Sequence, residues 1–265
     1  MKIEFVILGC GSSFGIPRID GYFGKCDPNN KKNYRTRCSV LLRFKNINIL
    51  IDTSPDLKSQ LLKHNVKNIN KVFYTHPHGD QTHGINELRV FYIKSRKKVP
   101  VYANLSTRKY LNQSFRYCFS DAKNYPAILE LKKLSYLHYI KSKKKNIIKL
   151  RSIKVEHGNI DSTCYVINDK CAYAPDVSRI LPKDLKYLKK LDYLVIDCLR
   201  YKSHPSHYSL DDVLILVNKI KPKKTILTNL NNDIDYNEIK KKITKEYHTC
   251  IRWLIISFLT VFLFY

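Results

Sequence analysis

A chain of 265 residues with 44% hydrophobic content is long enough to bury a sizeable core, which excludes a disordered or fibrous polymer. Its 48 Lys and Arg against 22 Asp and Glu give a net charge of +26, but the charge is spread out and Lys, Asn and Ile are used heavily throughout, as an AT-rich genome produces. Basic character alone therefore does not specify a nucleic-acid partner.

The eight cysteines form no C-x-x-C pair, and several lie in apolar runs. They fit buried free thiols in a reducing cytoplasm better than a disulfide framework. Lys2–Leu8 reads as a first strand. Ile7–Cys10 has the outline of a lipoprotein cleavage site, but the apolar stretch before it is short and interrupted by Glu4. Gly9–Arg37 is a long loop rich in Gly, Pro and Asn, of a length usually kept for function, and it carries Arg18, Arg35 and Arg37. Cys38–Arg43 and Ile47–Ile51 form a hairpin ending at Asp52. Ser54 and Pro55 are suited to begin a helix running to about His64. Lys71–Tyr74 is a short strand, Ile85–Ile93 a helix, Val99–Ala103 a strand and Ser106–Phe119 a helix. Leu129–Ile153 is irregular and β-leaning, with a solvated lysine run at Lys143–Lys145. Lys154–Glu156 leads into His157. Thr163–Asn168 and Cys171–Ala174 form a second hairpin, followed by Asp176. Tyr193–Ile196 is a buried strand, Leu199–Tyr208 a loop, Ser209–Ile220 an amphipathic helix, Thr225–Leu227 a strand and Asp235–Lys242 a helix. Hairpins followed by strand–helix alternation occur twice, with no linker between, which predicts two mixed sheets packed face to face with helices outside.

Between the Lys71–Tyr74 strand and the next helix lies Thr75-His76-Pro77-His78-Gly79-Asp80-Gln81-Thr82-His83-Gly84. Imidazoles and a carboxylate at one strand end suit zinc or another borderline divalent metal. His157, Asp176, His204 and His207 follow later strand-like runs, where sites form on such a scaffold.

These motifs, with Leu8–Ser13, Asp52, His157-Gly158 and His204–His207, resemble the metallo-β-lactamase superfamily. The nearest branch is that of phosphoribosyl cyclic phosphodiesterase and the tRNase Z-like hydrolases. The resemblance covers Met1 to about Lys245 and implies a four-layer αββα sandwich of the α/β (α+β) class. It implies that His76, His78 and His157 hold one metal, that Asp176 bridges two, and that Asp80 holds the second. Asp52 would orient a ligand, and His207, or else His204, would be the general acid. The implied cofactor is Zn2+ or Mn2+, one or two ions per chain. The implied activity is hydrolysis of a small cyclic or nucleotide-like phosphodiester through a metal-activated hydroxide. The alternatives are tRNA 3′-end processing, disfavoured because no long inserted arm is visible, and a metal-depleted binding protein. A nucleic-acid substrate is thus not favoured, a membrane role is not expected, and a homodimer is compatible with the sequence.

Two positions depart from the superfamily pattern. Gln81 stands where a histidine is usual, and Asn229 and Asn231 occupy a strand end that commonly carries another. A carbonyl oxygen is a weaker zinc ligand than imidazole, so the second metal would be weak, rebuilt with His83, or a harder ion such as manganese. The uncharged run Trp253–Tyr265 has thirteen residues, short of the ~20 that span a bilayer as a helix. Glu246–Trp253 can be encoded as GAA TAT CAT ACC TGC ATA CGA TGG. Without the first base this reads Asn-Ile-Ile-Pro-Ala-Tyr-Asp-Gly, which resembles the usual end of the branch. The expected division is a hydrolase domain over 1–245 and a frameshifted apolar tail over 246–265.

Overall fold

The computed structural model describes residues 2–142, 147–243, 247–249 and 255–259. The chain divides into two compact units, each built on one seven-stranded sheet.

The first unit takes in residues 1–8, 39–135 and 255–265. Its strands are β1 (Lys2–Gly9), β2 (Ser39–Phe44), β3 (Ile47–Ile51), β4 (Lys71–Phe73), β5 (Val99–Ala103) and β6 (Leu129–Lys133), with β14 (Ile255–Leu259) on the β1 edge. The β2–β3 hairpin is antiparallel, pairing Val40 with Ile51, and β3 through β6 run parallel. Parallel strands are covered on both faces, and β3 is accordingly an apolar run, buried from Asn48 to Ile51. Leu41, Leu50, Val72 and Val101 belong to a core that also takes in Leu57, Ile85, Leu88 and Leu111 from the helical side. The helices are α1 (Leu57–Lys63), α2 (Gly79–Thr82), α3 (Arg89–Ser95), α4 (Leu105–Ser114) and α5 (Arg116–Phe119).

The second unit takes in residues 9–38 and 136–254. β7 (Leu137–Lys141), β8 (Ile147–His157), β9 (Ile160–Ile167) and β10 (Cys171–Ala174) form an antiparallel meander. β11 (Tyr193–Asp197), β12 (Lys224–Thr228) and β13 (Tyr247–Thr249) continue it in parallel. The β9–β10 turn holds Asn168 and Asp169 at φ 52° and 51°. Two successive left-handed residues match the twist of a tight hairpin, and Asn and Asp tolerate that region best after glycine. α6 (Leu210–Ile220) starts at a reciprocal cap between Ser209 and Asp212 and buries Leu210, Val213, Leu216, Val217 and Ile220. α7 (Tyr236–Lys242) is capped by the Asp235 carboxylate.

Several boundaries differ from the sequence expectation. The β-leaning stretch after Leu129 is three regular strands, whose alternation is diluted by lysines on exposed positions. The helix over 85–93 opens with a 3₁₀ turn (Ile85–Leu88) and runs on to Ser95. The helix over 106–119 breaks at Phe115, which leaves helical geometry at φ −127°. Ser54 does not itself begin a helix. Its hydroxyl accepts from the Asp56 N–H and donates to Gln60, and α1 starts at Leu57. Within the tail, Tyr247–Thr249 and Ile255–Leu259 are edge strands, while residues 250–254 and 260–265 lie outside the described residues. Lys143–Lys145 also lie outside them. No helix among the described residues is long and apolar enough to cross a membrane.

Candidate functional site

In the first unit the carboxyl ends of β3 and β4 lie side by side, and the histidine loop leaves from β4. Asp52 sits one residue past β3 at φ 62°, a left-handed geometry that costs a non-glycine residue about 1–2 kcal/mol. Strain of this kind clusters at functional sites. The turn lets its N–H reach the Phe73 carbonyl at 2.9 Å, while its carboxylate receives the Thr75 N–H and hydroxyl, each at 2.8 Å. Burial pushes the Asp52 carboxyl well above its usual range, and the Thr75 hydrogen bonds pull it back.

With its own proton directed to Asp52, the Thr75 hydroxyl accepts from His76 Nδ1 at 3.0 Å. That fixes the tautomer in which Nε2 carries the lone pair. His76 Nε2 and His78 Nδ1 then converge to 3.0 Å. The loop backbone is stitched to the 52–54 turn: Thr53 N–H donates to the Gln81 carbonyl at 2.7 Å, and the Thr53 hydroxyl to that of Thr82 at 3.0 Å. Gly84 N–H returns to the Thr53 carbonyl at 2.9 Å.

A second group lies at the carboxyl ends of β8, β10, β11 and β12 in the other unit. Ligand-type atoms of His157, Asp176 and His207 all lie within 4.8 Å of one another. His157 Nδ1 donates to the Ser206 carbonyl at 2.5 Å, which leaves Nε2 unprotonated. His207 Nδ1 is held at 2.7 Å by Asp197, whose other contacts are the Val177 N–H and Asn229. Burial pushes the Asp197 carboxyl up, and His207 draws it back. Asn229, buried and left-handed at φ 60°, places its amide nitrogen 3.1 Å from Asp176, 3.1 Å from Asp197 and 3.2 Å from His207. His204 approaches His207 with ring centroids 5.1 Å apart, and its Nδ1 accepts from Ser206. Burial first, then His207 and Arg200, hold His204 below the usual histidine range.

The residues singled out by sequence thus fall into these two groups. His76, His78, Asp80, Gln81 and Asp52 belong to the first, and Gln81 turns its amide to donate to Asp80 at 3.1 Å. His83 is exposed and turns to the Tyr110 hydroxyl at 3.2 Å and the Phe115 edge. His157, Asp176, His204 and His207 belong to the second. Asn231 caps its own turn by accepting from Asp233 N–H at 2.9 Å, and Asn229 takes the place beside Asp176 and His207. Two of the first-loop arginines have partners of their own. Arg35 is buried against Asn33 and the Asn231 carbonyl, and Arg18 pairs with Asp20. Sequence reasoning passed over Asp197 as a strand end. The signal was present in its place after a buried β-run, ten residues before His207.

The donor set fits a divalent metal. His76 and His157 each have one nitrogen fixed by a protein acceptor and the other left with its lone pair; in the first unit His78 lies beside His76, and in the second Asp176 and His207 lie beside His157.

A family profile described as "Beta-lactamase superfamily domain" matches residues 47–228. A curated relative, an octanoyltransferase of Porphyromonas gingivalis, is 28% identical over 230 residues, covering 86% of this chain and 46% of that protein. The chain therefore spans under half the length of that relative. The crystal structure of a diphosphatase of the PhnP family superposes with a TM-score of 0.86 at 28% identity, covering 97% of this chain and 98% of the other. Human tRNase Z, short form, superposes at 0.66 with 16% identity over 96% and 98% of the two chains, a likeness of fold alone. The chain belongs to the beta-lactamase superfamily and has the α/β metallo-β-lactamase fold.

Proposed function

We propose that the chain is a metal-dependent phosphodiesterase acting on a small cyclic or nucleotide-like phosphate. The observation that carries this reading is the Asp197–His207 pair, set beside Asp176 and His157. It places a protonatable imidazole next to a ligand-type cluster, as diester cleavage requires for its leaving oxygen. The PhnP-family diphosphatase, similar over nearly its whole length, supports phosphate chemistry.

In this reading His76, His78 and His157 hold one metal, with Asp176 and Asp80 available to a second. Gln81 contributes through Asp80. When bound, the metal supplies a Lewis acid that activates water near neutral pH and offsets phosphate charge. The protein's own part is orientation and proton transfer. Asp52, through Thr75, fixes the His76 ring. Asp197 holds His207 Nδ1–H and fixes the orientation of the ring, leaving Nε2 as the atom that faces the departing oxygen. His204, which burial makes less basic and which no carboxylate holds among the described residues, is the weaker candidate for that step. The seven described cysteines are all buried, in keeping with a cytoplasmic enzyme.

The test measures metal content and turnover of bis-p-nitrophenyl phosphate by the metal-loaded protein. His76→Ala and His157→Ala should each lose metal and at least about 10- to 100-fold in activity. His207→Ala should slow an alkyl ester far more than a p-nitrophenyl ester. Near-normal metal and turnover in both ligand variants would refute the assignment.

A further inference from the structure

A pocket of about 300 Å³ lies on the helical side of the first unit, lined by Arg89, Tyr92, Arg96, Tyr117, Tyr125 and Pro126 among others. It contains none of the residues assigned above to metal or proton transfer. We propose that it binds a nucleoside monophosphate unit, the phosphate between Arg89 and Arg96 and the base against the tyrosines. The proposal does not depend on the hydrolytic reading.

Among the described residues neither Arg89 nor Arg96 has a carboxylate partner. That sets them apart from Arg18, Arg151 and Lys98, which pair with Asp20, Asp169 and Asp121. Arg89 and Arg96 both line the same pocket, and a guanidinium meets phosphate oxygens through two parallel N–H donors. Arg96 ends α3 in the left-handed conformation, φ 55°, where glycine is usual. Asn124, on the facing loop, is also left-handed at φ 67°.

Tyr117 and Tyr125 come from different elements and remain 60% and 66% exposed, so their rings are open to a ligand. The loop carrying Tyr125 is held in place: Ala122 and Tyr125 exchange backbone hydrogen bonds at 2.9 Å, and Asp121 accepts from the Ala127 N–H at 2.8 Å. Tyrosine faces stack on bases without regard to sequence. A volume near 300 Å³ is at the lower end of small-ligand sites and matches one nucleotide rather than a longer ligand.

The test titrates the full-length protein with AMP, UMP, inorganic phosphate and a 5′-phosphorylated oligoadenylate by calorimetry. The nucleotides should bind at least about tenfold more tightly than phosphate. The Arg89→Ala/Arg96→Ala double variant should weaken AMP at least about tenfold. Tyr125→Ala, on an exposed loop that keeps its backbone bonds, should weaken AMP while leaving the thermal midpoint unchanged. Tighter binding of the oligoadenylate would assign the unit to a strand end and tighter AMP to a free nucleotide; either supports the site. Nucleotide binding indifferent to both variants, or no preference over phosphate, would overturn the proposal. So would a parallel loss of bis-p-nitrophenyl phosphate hydrolysis in these variants, which would trace the effect to the catalytic loop.

Discussion

Gly84→Ala tests whether close backbone packing positions the histidine loop. Gly84 has an ordinary φ of −84°, so an alanine there is not strained by conformation. Space is the obstacle. A Cβ at this position would meet the Ser54 carbonyl oxygen at 2.0 Å, Leu57 Cβ at 2.9 Å and the Ser54 carbonyl carbon at 3.0 Å. Relief requires the two segments to part by more than about 1 Å, since such atoms pack at about 3.5 Å. The segments are those joined by the Gly84–Thr53 and Thr53–Gln81 hydrogen bonds at 2.9 and 2.7 Å, and the same movement breaks both. Two buried hydrogen bonds at about 1 kcal/mol each, with about 1–3 kcal/mol of overpacking, amount to about 3–5 kcal/mol. For a chain of this size that lowers the thermal midpoint by roughly 6–20 °C. Thermal denaturation followed by circular dichroism in metal-free buffer reads the effect without ligand linkage. Gly21→Ala is the control. It is left-handed at φ 79° but has nothing within 4 Å of its would-be Cβ, so its cost is the conformational one alone, about 1–2 kcal/mol. A fall of less than about 2 °C for Gly84→Ala would refute the packing argument.

Thr75→Val keeps the shape of the side chain but removes the hydroxyl between Asp52 and His76. Metal affinity, read by titration against a competing chelator, should fall about 10- to 100-fold; an unchanged affinity would show that His76 needs no such support. Asn229→Ala should cut phosphodiester turnover at least about tenfold, because three partners lose one amide, whereas Asn231→Ala should leave turnover within about twofold. The reverse order would return the role to Asn231. The buried thiols should be silent in the native protein. Burial pushes Cys118 up to about 11 and Cys164 up to about 12, so at pH 8 both are protonated as well as enclosed. Ellman's reagent should find the seven described cysteines only after denaturant is added, and rapid native labelling of several would contradict their placement.

The parts of the molecule that the sequence disclosed are those governed by local rules. Strand–loop boundaries at Asp52 and Thr75, the hairpin between Thr163–Asn168 and Cys171–Ala174 and the amphipathic helix from Ser209 all follow from residue type and spacing. The stretch after Leu129 did not disclose its strands, because lysines on its exposed positions dilute the alternation. Within the site, ligand-type residues were visible one at a time, but which side chain faces which depends on long-range pairing. Asn229 and Asn231 differ by one turn of backbone direction that only the left-handed geometry at Asn229 decides. Asp197 looked like the end of a buried strand, and its role depends on His207 folding back over it.

The stitching of the histidine loop separates two requirements that other loops must meet together. Thr53 holds the loop through the main-chain carbonyls of Gln81 and Thr82, so the grip is indifferent to the side chain at position 81. A residue there can change its chemistry while the neighbouring imidazoles keep their places. A substitution at position 81 thus alters the group beside Asp80 while the main-chain frame is kept. Loops built in this way can explore metal preference by single substitutions without first passing through an unfolded intermediate.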